Sequence, residues 1–210
     1  MRPDSRVLPA YECRRTRWQN GAGWTREIHA EPRADPVASP AFPAPSDLAT
    51  WDWRVSIAEI GADAPFSHFP GVDRELVLLA GEGLRLRFDD GEVRELRMPY
   101  QQHRFAGERA VTGELLDGPT QDFNLMWRRD RFSADLWRRP LVGAMVVFAE
   151  PRSSWLVHLL AGSARFADDS GLPVLSPGDT AIFQAGDARL RHVLDGGGEA
   201  LLIRLQPRSA

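Results

Sequence analysis

The chain has 210 residues, with 26 basic and 29 acidic side chains and a formal net charge of −3. This length predicts one large domain or two small ones, and 43% hydrophobic residues supply enough core to exclude intrinsic disorder. The sequence has no apolar run near the ~20 residues of a membrane span and opens without a signal-peptide pattern, so we expect a cytoplasmic protein with no membrane contact. The balanced charge indicates no nucleic-acid partner.

All 26 basic residues are arginine, and Cys13 is the only cysteine. The absence of lysine excludes Schiff-base chemistry, pyridoxal attachment and a Walker-type phosphate site, each of which needs a primary amine. A single cysteine cannot form an internal disulfide. Arginine cannot act as a general base, but its planar guanidinium binds carboxylates and phosphates well.

The first half of the chain alternates turns and strands. Residues 1–15 are predicted to be an extended lead-in, and Asn20-Gly21 predicts a tight turn before a strand at 24–28. Five prolines between 32 and 45 predict an irregular loop, assigned to residues 32–47 and interpreted as an insertion. Residues 51–60 then alternate apolar and small or polar side chains, which predicts a strand.

The rest of the chain keeps this rhythm, and Gly196-Gly-Gly198 is interpreted as a flexible hairpin tip. Short strands every 8–12 residues with few helical windows predict an all-β barrel or sandwich. The further predicted strands are 75–79, 84–88, 93–96, 123–127, 144–148, 155–160, 164–166, 173–175, 180–183, 190–194 and 200–205.

An internal repeat supports two domains. The segments beginning at Leu78 and Leu159 both read as a strand, a Leu-Leu-Ala-Gly turn, a second strand and an acidic turn. The spacing is too long for a solenoid repeat and favours two copies of one small β-barrel, although chance similarity between hairpins is an alternative. We therefore expect barrels at 1–135 and 136–210.

Motifs for metal or nucleophilic chemistry are missing. The five histidines lie far apart, and two ligands from one strand would need His-x-His spacing, so no metal site and no cofactor are predicted. A site built from three distant histidines and a carboxylate remains an alternative. The Gly-x-Ser-x-Gly elbow of α/β-hydrolases is also absent.

Two segments combine aromatic, proline and uncharged polar residues with arginine, at 18–26 and 65–74. That mixture is typical of a concave small-molecule site. The alternative is that the aromatics fill a barrel end and Arg74 pairs with Asp73 or another neighbour.

Four motifs in order resemble the HutD/Ves family: Trp18-x-Asn-Gly-x-Gly-x-Thr-x-Glu27, Trp53-Arg-x-Ser-Ile-Ala58, Pro65-Phe-Ser-x-Phe-Pro-Gly-x-Asp-Arg74 and Asp122-Phe-Asn-Leu-Met126. The resemblance implies a bicupin, made of two cupin-like (jelly-roll) barrels, with no established enzymatic activity. HutD members are associated with histidine-utilisation operons and are proposed to bind the intermediate N-formylglutamate. Ves members are linked to stress or cold response.

Our first hypothesis is a metal-free bicupin, monomeric or homodimeric, that binds a small acidic metabolite in its N-terminal barrel. Arg54 or Arg74 would bind a carboxylate in a bidentate manner, and Trp18 and Trp24 would line the opening of the barrel. No catalytic residue is assigned. The complete predicted ligand-binding set is Trp18, Asn20, Trp24, Arg54, Ser56, Ser67, Phe69, Arg74, Asn124 and Met126.

Two alternatives belong to other classes. A cupin-type enzyme acting on a sugar or amino-acid derivative would use Glu59, His68 or His103 as acid or base. A scaffold protein would instead carry exposed aromatic patches around barrels with no ligand.

Overall fold

The computed structural model describes residues 4–32, 51–167 and 170–208. Strands dominate it, and the described residues contain no α-helix, so the predicted all-β fold class is confirmed. The strands are β1 Asp4–Leu8, β2 Arg14–Arg17, β3 Gly23–Pro32, β4 Trp51–Ile60, β5 Ala64–Pro65, β6 Val72–Ala80, β7 Leu84–Phe88, β8 Val93–Leu96, β9 Gln102–Ala106, β10 Val111–Leu115, β11 Thr120–Arg128, β12 Phe132–Ala149, β13 Ser154–Phe166, β14 Thr180–Gln184 and β15 Leu190–Pro207, with a 3-10 turn at Ala10–Glu12. Apart from Pro32, the predicted loop at 32–47 lies outside the described residues.

The chain divides into two compact units, Arg14–Arg131 and Met1–Cys13 with Phe132–Ala210. We refer to them as the N-terminal unit and the C-terminal unit. This division differs from the predicted one because β1 pairs along its whole length with β14 and therefore belongs to the C-terminal unit. The predicted boundary after residue 135 falls inside β12, whose pairing with β15 is continuous from Phe132.

The N-terminal unit contains two antiparallel sheets. The larger has the strand order β2-β3-β4-β11-β6-β9 and the smaller β5-β10-β7-β8. Between them lies a core of apolar side chains, which strands of each sheet contribute from the face turned towards the other sheet. It contains Ala58, Ile60, Phe66, Leu76, Leu78, Leu84, Leu86, Phe88, Leu96, Phe105 and Val111.

The C-terminal unit is one antiparallel sheet of order β1-β14-β13-β15-β12. β12 and β15 pair without a register shift over 18 residues, and β13 bends at a bulge between Leu159 and Ala161. Bulges and glycines let a long strand curve around its own core. That core includes Leu141, Val157, Leu159, Phe166, Phe183, Leu194 and Leu202.

Three predictions in this unit were wrong. The Leu-Leu-Ala-Gly turn proposed at Gly162 is not a hairpin, because β13 continues through it, and Gly196-Gly-Gly198 lies within β15. A Cβ on Gly162 would meet the Gly197 carbonyl oxygen at 1.8 Å, and one on Gly198 would meet the Ala161 carbonyl oxygen at 2.0 Å. These glycines permit close backbone contact rather than a turn. The strand predicted at 173–175 is also absent, leaving a single bridge at Leu175.

Candidate functional site

The inner face of the larger N-terminal sheet carries polar groups in ordered cross-strand rows. Cross-strand partners share a face, and Ala58 and Leu78 on this face belong to the core. The three rows across β4, β11 and β6 are Arg54–Met126–Arg74, Ser56–Asn124–Leu76 and Ala58–Asp122–Leu78. Five of the predicted ligand-binding residues are thereby brought onto one face: Arg54, Ser56, Arg74, Asn124 and Met126.

Arg74 is a buried cation that has no anionic partner among the residues that the structure describes. It is 5% exposed, and its guanidinium carbon lies 5.1, 5.5 and 5.3 Å from the ring centroids of Phe66, Phe69 and Phe105. Its Nη1 donates a long hydrogen bond, 3.5 Å, to the Ser67 carbonyl oxygen. Among the described residues no carboxylate lies within ion-pair distance, and Arg74 Nε has no acceptor. The alternative pairing with Asp73 is wrong, because Asp73 binds Arg129.

Burial, reinforced by the charge of Arg54, lowers the pKa of Arg74 to about 10. The guanidinium therefore stays charged at neutral pH, at the cost of desolvation. Arg54 differs from it because its Nε lies 2.7 Å from Glu27 Oε2. The first row and its neighbour Glu27 thus carry one uncompensated positive charge, which is the electrostatic requirement for holding a buried anion.

Asp122 and Asn124 add two unpartnered buried acceptors to the same face. The Oδ1 atom of each has no hydrogen-bond donor in the described ranges, and the side chains are 1% and 8% exposed. Thr120 donates a 3.4 Å hydrogen bond to the other Asp122 oxygen. Burial raises the pKa of the Asp122 carboxyl to about 7, although the Thr120 bond opposes this. In native proteins such groups are usually paired with protein, ordered water or a bound ligand, so both oxygens can accept a hydrogen bond from one of these.

Other predicted residues lie away from this inner face. Trp24 is paired with Glu59, which points to the opposite side of the sheet from its neighbour Ala58; we call that side the outer face. There the guanidinium carbon of Arg15 lies 4.3 Å from the centroid of the Trp24 ring. Asn20 is exposed and accepts the Ala22 N–H, which makes it a turn residue. Ser67 is exposed and contributes its carbonyl oxygen to Arg74.

Trp18 and Phe69 stand at the border of the inner face. Trp18 packs against the core edge-on to Phe66 at 6.4 Å, and its Nε1 donates to Thr25. Phe69 is half-buried, packed against a small cluster with Trp51 and Met126, and contacts the Arg74 cation. These two aromatics can shape the ends of a site centred on Arg74.

A shallow cleft of about 350 Å³ lies elsewhere on this unit, lined by Trp24, Glu59, Pro119, Gln121 and Gly21–Gly23 among others. Of its lining side chains, Trp24, Glu59 and Gln121 belong to the outer face, and Glu59 is held there by Arg15 at 2.5 Å and Arg26 at 2.9 Å. The cleft therefore does not contain the Arg74 cation.

The residues proposed for acid–base catalysis do not converge. Glu59 is on the outer face, His68 is exposed in the turn before β6, and His103 is on the inner face beside Leu76. His103 stacks on Phe105 at 6.0 Å, and burial lowers the pKa of its imidazole. The described residues contain no group of three or more His, Cys, Asp or Glu side chains suited to a metal ion.

Sequence reasoning missed Asp122, Phe66 and Phe105 as parts of this face. Asp122 shares the parity of Asn124 along β11, so alternation alone could have selected it. Phe105 required the β6–β9 register, which places it opposite Arg74 and which no local motif specifies.

Comparison with known proteins gives the following similarities. The HutD family model matches residues 10–202. Protein Ves from Cronobacter sakazakii is 34% identical over 189 residues, covering 90% of this chain and 91% of the relative. An uncharacterized 21.2 kDa protein in the hutC 3′ region of Pseudomonas putida is 35% identical over 130 residues, so this chain covers 62% of that relative's length.

Solved structures extend the similarity to the whole fold. HutD from Pseudomonas fluorescens SBW25, in a formate condition, has a TM-score of 0.78 and 29% identity, covering 98% of this chain and all of that one. The bacterial pirin YhhW from Escherichia coli has a TM-score of 0.66 at 9% identity over 98% of this chain and all of that one, which shows a shared fold alone. Among the described residues, no helix has the length and apolar character needed to cross a bilayer.

Proposed function

Because the chain belongs to the HutD family, we propose that it binds a small acidic metabolite on the inner face of its N-terminal unit and acts in control of histidine utilisation or of a stress response. The observation that carries this proposal is the buried guanidinium of Arg74, which has three aromatic neighbours but, within the described part of the chain, no carboxylate. A buried charge is costly unless it is paired. A ligand carboxylate would complete the pair, and charged hydrogen bonds of this kind contribute about 1.5–3 kcal/mol each.

The neighbouring groups suit an acidic ligand that also carries polar atoms. Arg54 supplies a second guanidinium across Met126, while Ser56 and Asn124 offer a hydroxyl and an amide in the next row. N-formylglutamate has two carboxylates and one amide, so it can use both cations and the uncharged polar groups. Its link to histidine utilisation makes it the first ligand to test.

A thermal-shift screen tests this proposal. The purified chain is heated with N-formylglutamate, glutamate, urocanate, histidine, formiminoglutamate and divalent metals in turn. A ligand at one hundred times its dissociation constant adds about 2.7 kcal/mol, which raises the melting temperature of a chain of this size by a few degrees.

Two variants locate the site in the same screen. Arg74→Met removes the cation, and Arg87→Met removes an exposed arginine whose partner is Glu114 at the surface. We expect a shift with N-formylglutamate that Arg74→Met abolishes and Arg87→Met retains. A shift unchanged in Arg74→Met would contradict the site, and a shift with metals alone would favour the enzyme alternative.

A further inference from the structure

The C-terminal unit ends at one side in a long edge strand. β12 is the last strand of its sheet and pairs with β15 through all 18 of its residues. On its other side, no strand within the described residues pairs with it. An edge strand presents a row of backbone N–H and C=O groups that can pair with another chain, and natural proteins usually protect such edges with charges, prolines or bulges.

The second half of this edge, Leu141–Ala149, is apolar on both faces. Leu141 and Val147 are buried in the core, while Val142, Ala144, Val146 and Phe148 alternate with them and face outward. Val142 is 90% exposed, and Val146 and Phe148 are 42% and 43% exposed. An antiparallel sheet with one solvated face normally alternates apolar and polar residues. The outward row instead has the composition of a strand covered on both faces.

We propose that the Leu141–Ala149 edge of β12 pairs antiparallel with the same edge of a second copy of this chain, around a twofold axis at Ala144. A twofold interface brings the same surface of both copies together, so the edge must be complementary to itself. In antiparallel pairing, residues that lie opposite each other place their side chains on the same face of the sheet. The twofold axis must therefore pass through a residue and not between two neighbouring residues.

The residue numbers of the opposed positions select Ala144 as the place of the axis. The numbers of two opposed residues then sum to 288, which places Val142 against Val146 of the partner subunit and Arg138 against Glu150 of the partner subunit. An axis at Met145 would oppose Pro140 with Glu150, and an axis at Gly143 would oppose Arg138 with Phe148. Of these three axis positions, only Ala144 places apolar side chains opposite apolar ones and also places an arginine opposite a glutamate at each end of the paired segment.

The flanking charges already take part in ion pairs within their own chain. Arg138 pairs with Glu199 of its own chain, and Glu150 pairs with Arg189 at 3.0 Å. Both pairs lie at the surface, where an ion pair contributes little and can be shared with a new neighbour. Because an interface confined to one edge strand is small for a stable dimer, we expect a dissociation constant on the order of micromolar.

Sedimentation equilibrium of the full chain, from low micromolar to sub-millimolar concentrations, tests the proposal. Val142→Lys puts a charge beside the axis without touching the core, and Arg138→Glu and Glu150→Arg each oppose like charges across the interface. We expect each variant to weaken dimerisation at least tenfold, while the double variant Arg138→Glu with Glu150→Arg recovers it. Glu199→Gln, which removes only the pair within one chain, should dimerise like the parent.

Circular dichroism confirms that each variant is folded before it is compared. A chain that stays monomeric at every concentration overturns the proposal. So does a dimer that is unaffected by Val142→Lys and by the single charge reversals. A double variant that fails to recover dimerisation overturns the register at Ala144.

Discussion

Replacing Arg74 with Met should remove ligand binding without lowering stability. The lowering of the Arg74 pKa from its ordinary value to about 10 corresponds to a penalty of about 3 kcal/mol on the charged form. The cation–π contacts with the three Phe rings offset about 0.5–2 kcal/mol of that. Met keeps the apolar stem, so the free energy of unfolding should stay unchanged or rise by about 1–2 kcal/mol.

Arg104 provides the matched comparison for a paired arginine. It stands next to Phe105 on the other face of β9 and binds the buried carboxylate of Glu75 at 2.7 Å. Arg104→Met should therefore cost about 2 kcal/mol or more, because it removes the ion pair of a buried charge. Urea denaturation of the three proteins measures both effects. A loss above about 1 kcal/mol in Arg74→Met would refute the reasoning, since it would mean that the protein itself satisfies this cation.

Three further predictions concern other positions. The pKa of Asp122 is about 7 in the folded chain, above its ordinary 3.8, so the native state binds more protons than the unfolded chain between these values. The free energy of unfolding should therefore fall by up to about 4 kcal/mol as pH rises from 4 to 7. Asp122→Asn should remove this pH dependence in urea titrations, and an unchanged dependence would contradict the assignment. Gly162→Ala should destabilise the chain by at least about 3 kcal/mol in thermal unfolding, whereas Gly197→Ala, with open space at its Cβ, should be nearly neutral; equal effects would refute the close-contact argument. Arg54→Ala should weaken carboxylate binding about tenfold by calorimetry while leaving the chain folded, and unchanged affinity would remove Arg54 from the site.

Strand alternation predicted much of the fold and part of the site. It placed Arg54 with Ser56 and Asn124 with Met126, and the observed register brings both pairs onto one face. It could not place Trp24, because which face meets the core depends on pairing between strands that are distant in sequence. Motif reasoning identified the segment around Arg74 but not the lack of an anion beside it, which only tertiary contacts reveal.

The Leu-Leu-Ala-Gly segments show why a local motif does not determine local structure. In both copies the glycine has a positive φ, +96° at Gly81 and +87° at Gly162. In the N-terminal unit the chain leaves the larger sheet there and returns as β7 in the smaller one, whereas in the C-terminal unit β13 bends and continues. The residue type sets the backbone bend, and the strands available for pairing decide whether the bend becomes a turn or a bulge.

The central claim is that the Arg74 guanidinium holds a ligand carboxylate. The most direct measurement follows the arginine Nε–H resonances of the nitrogen-15-labelled chain during titration with N-formylglutamate, with the Arg74 signal assigned from its loss in Arg74→Met. The claim predicts that the Arg74 resonance shifts with the binding isotherm, because its Nε gains the acceptor that it lacks. Saturable binding that leaves this resonance in place, or no binding at all, would contradict it.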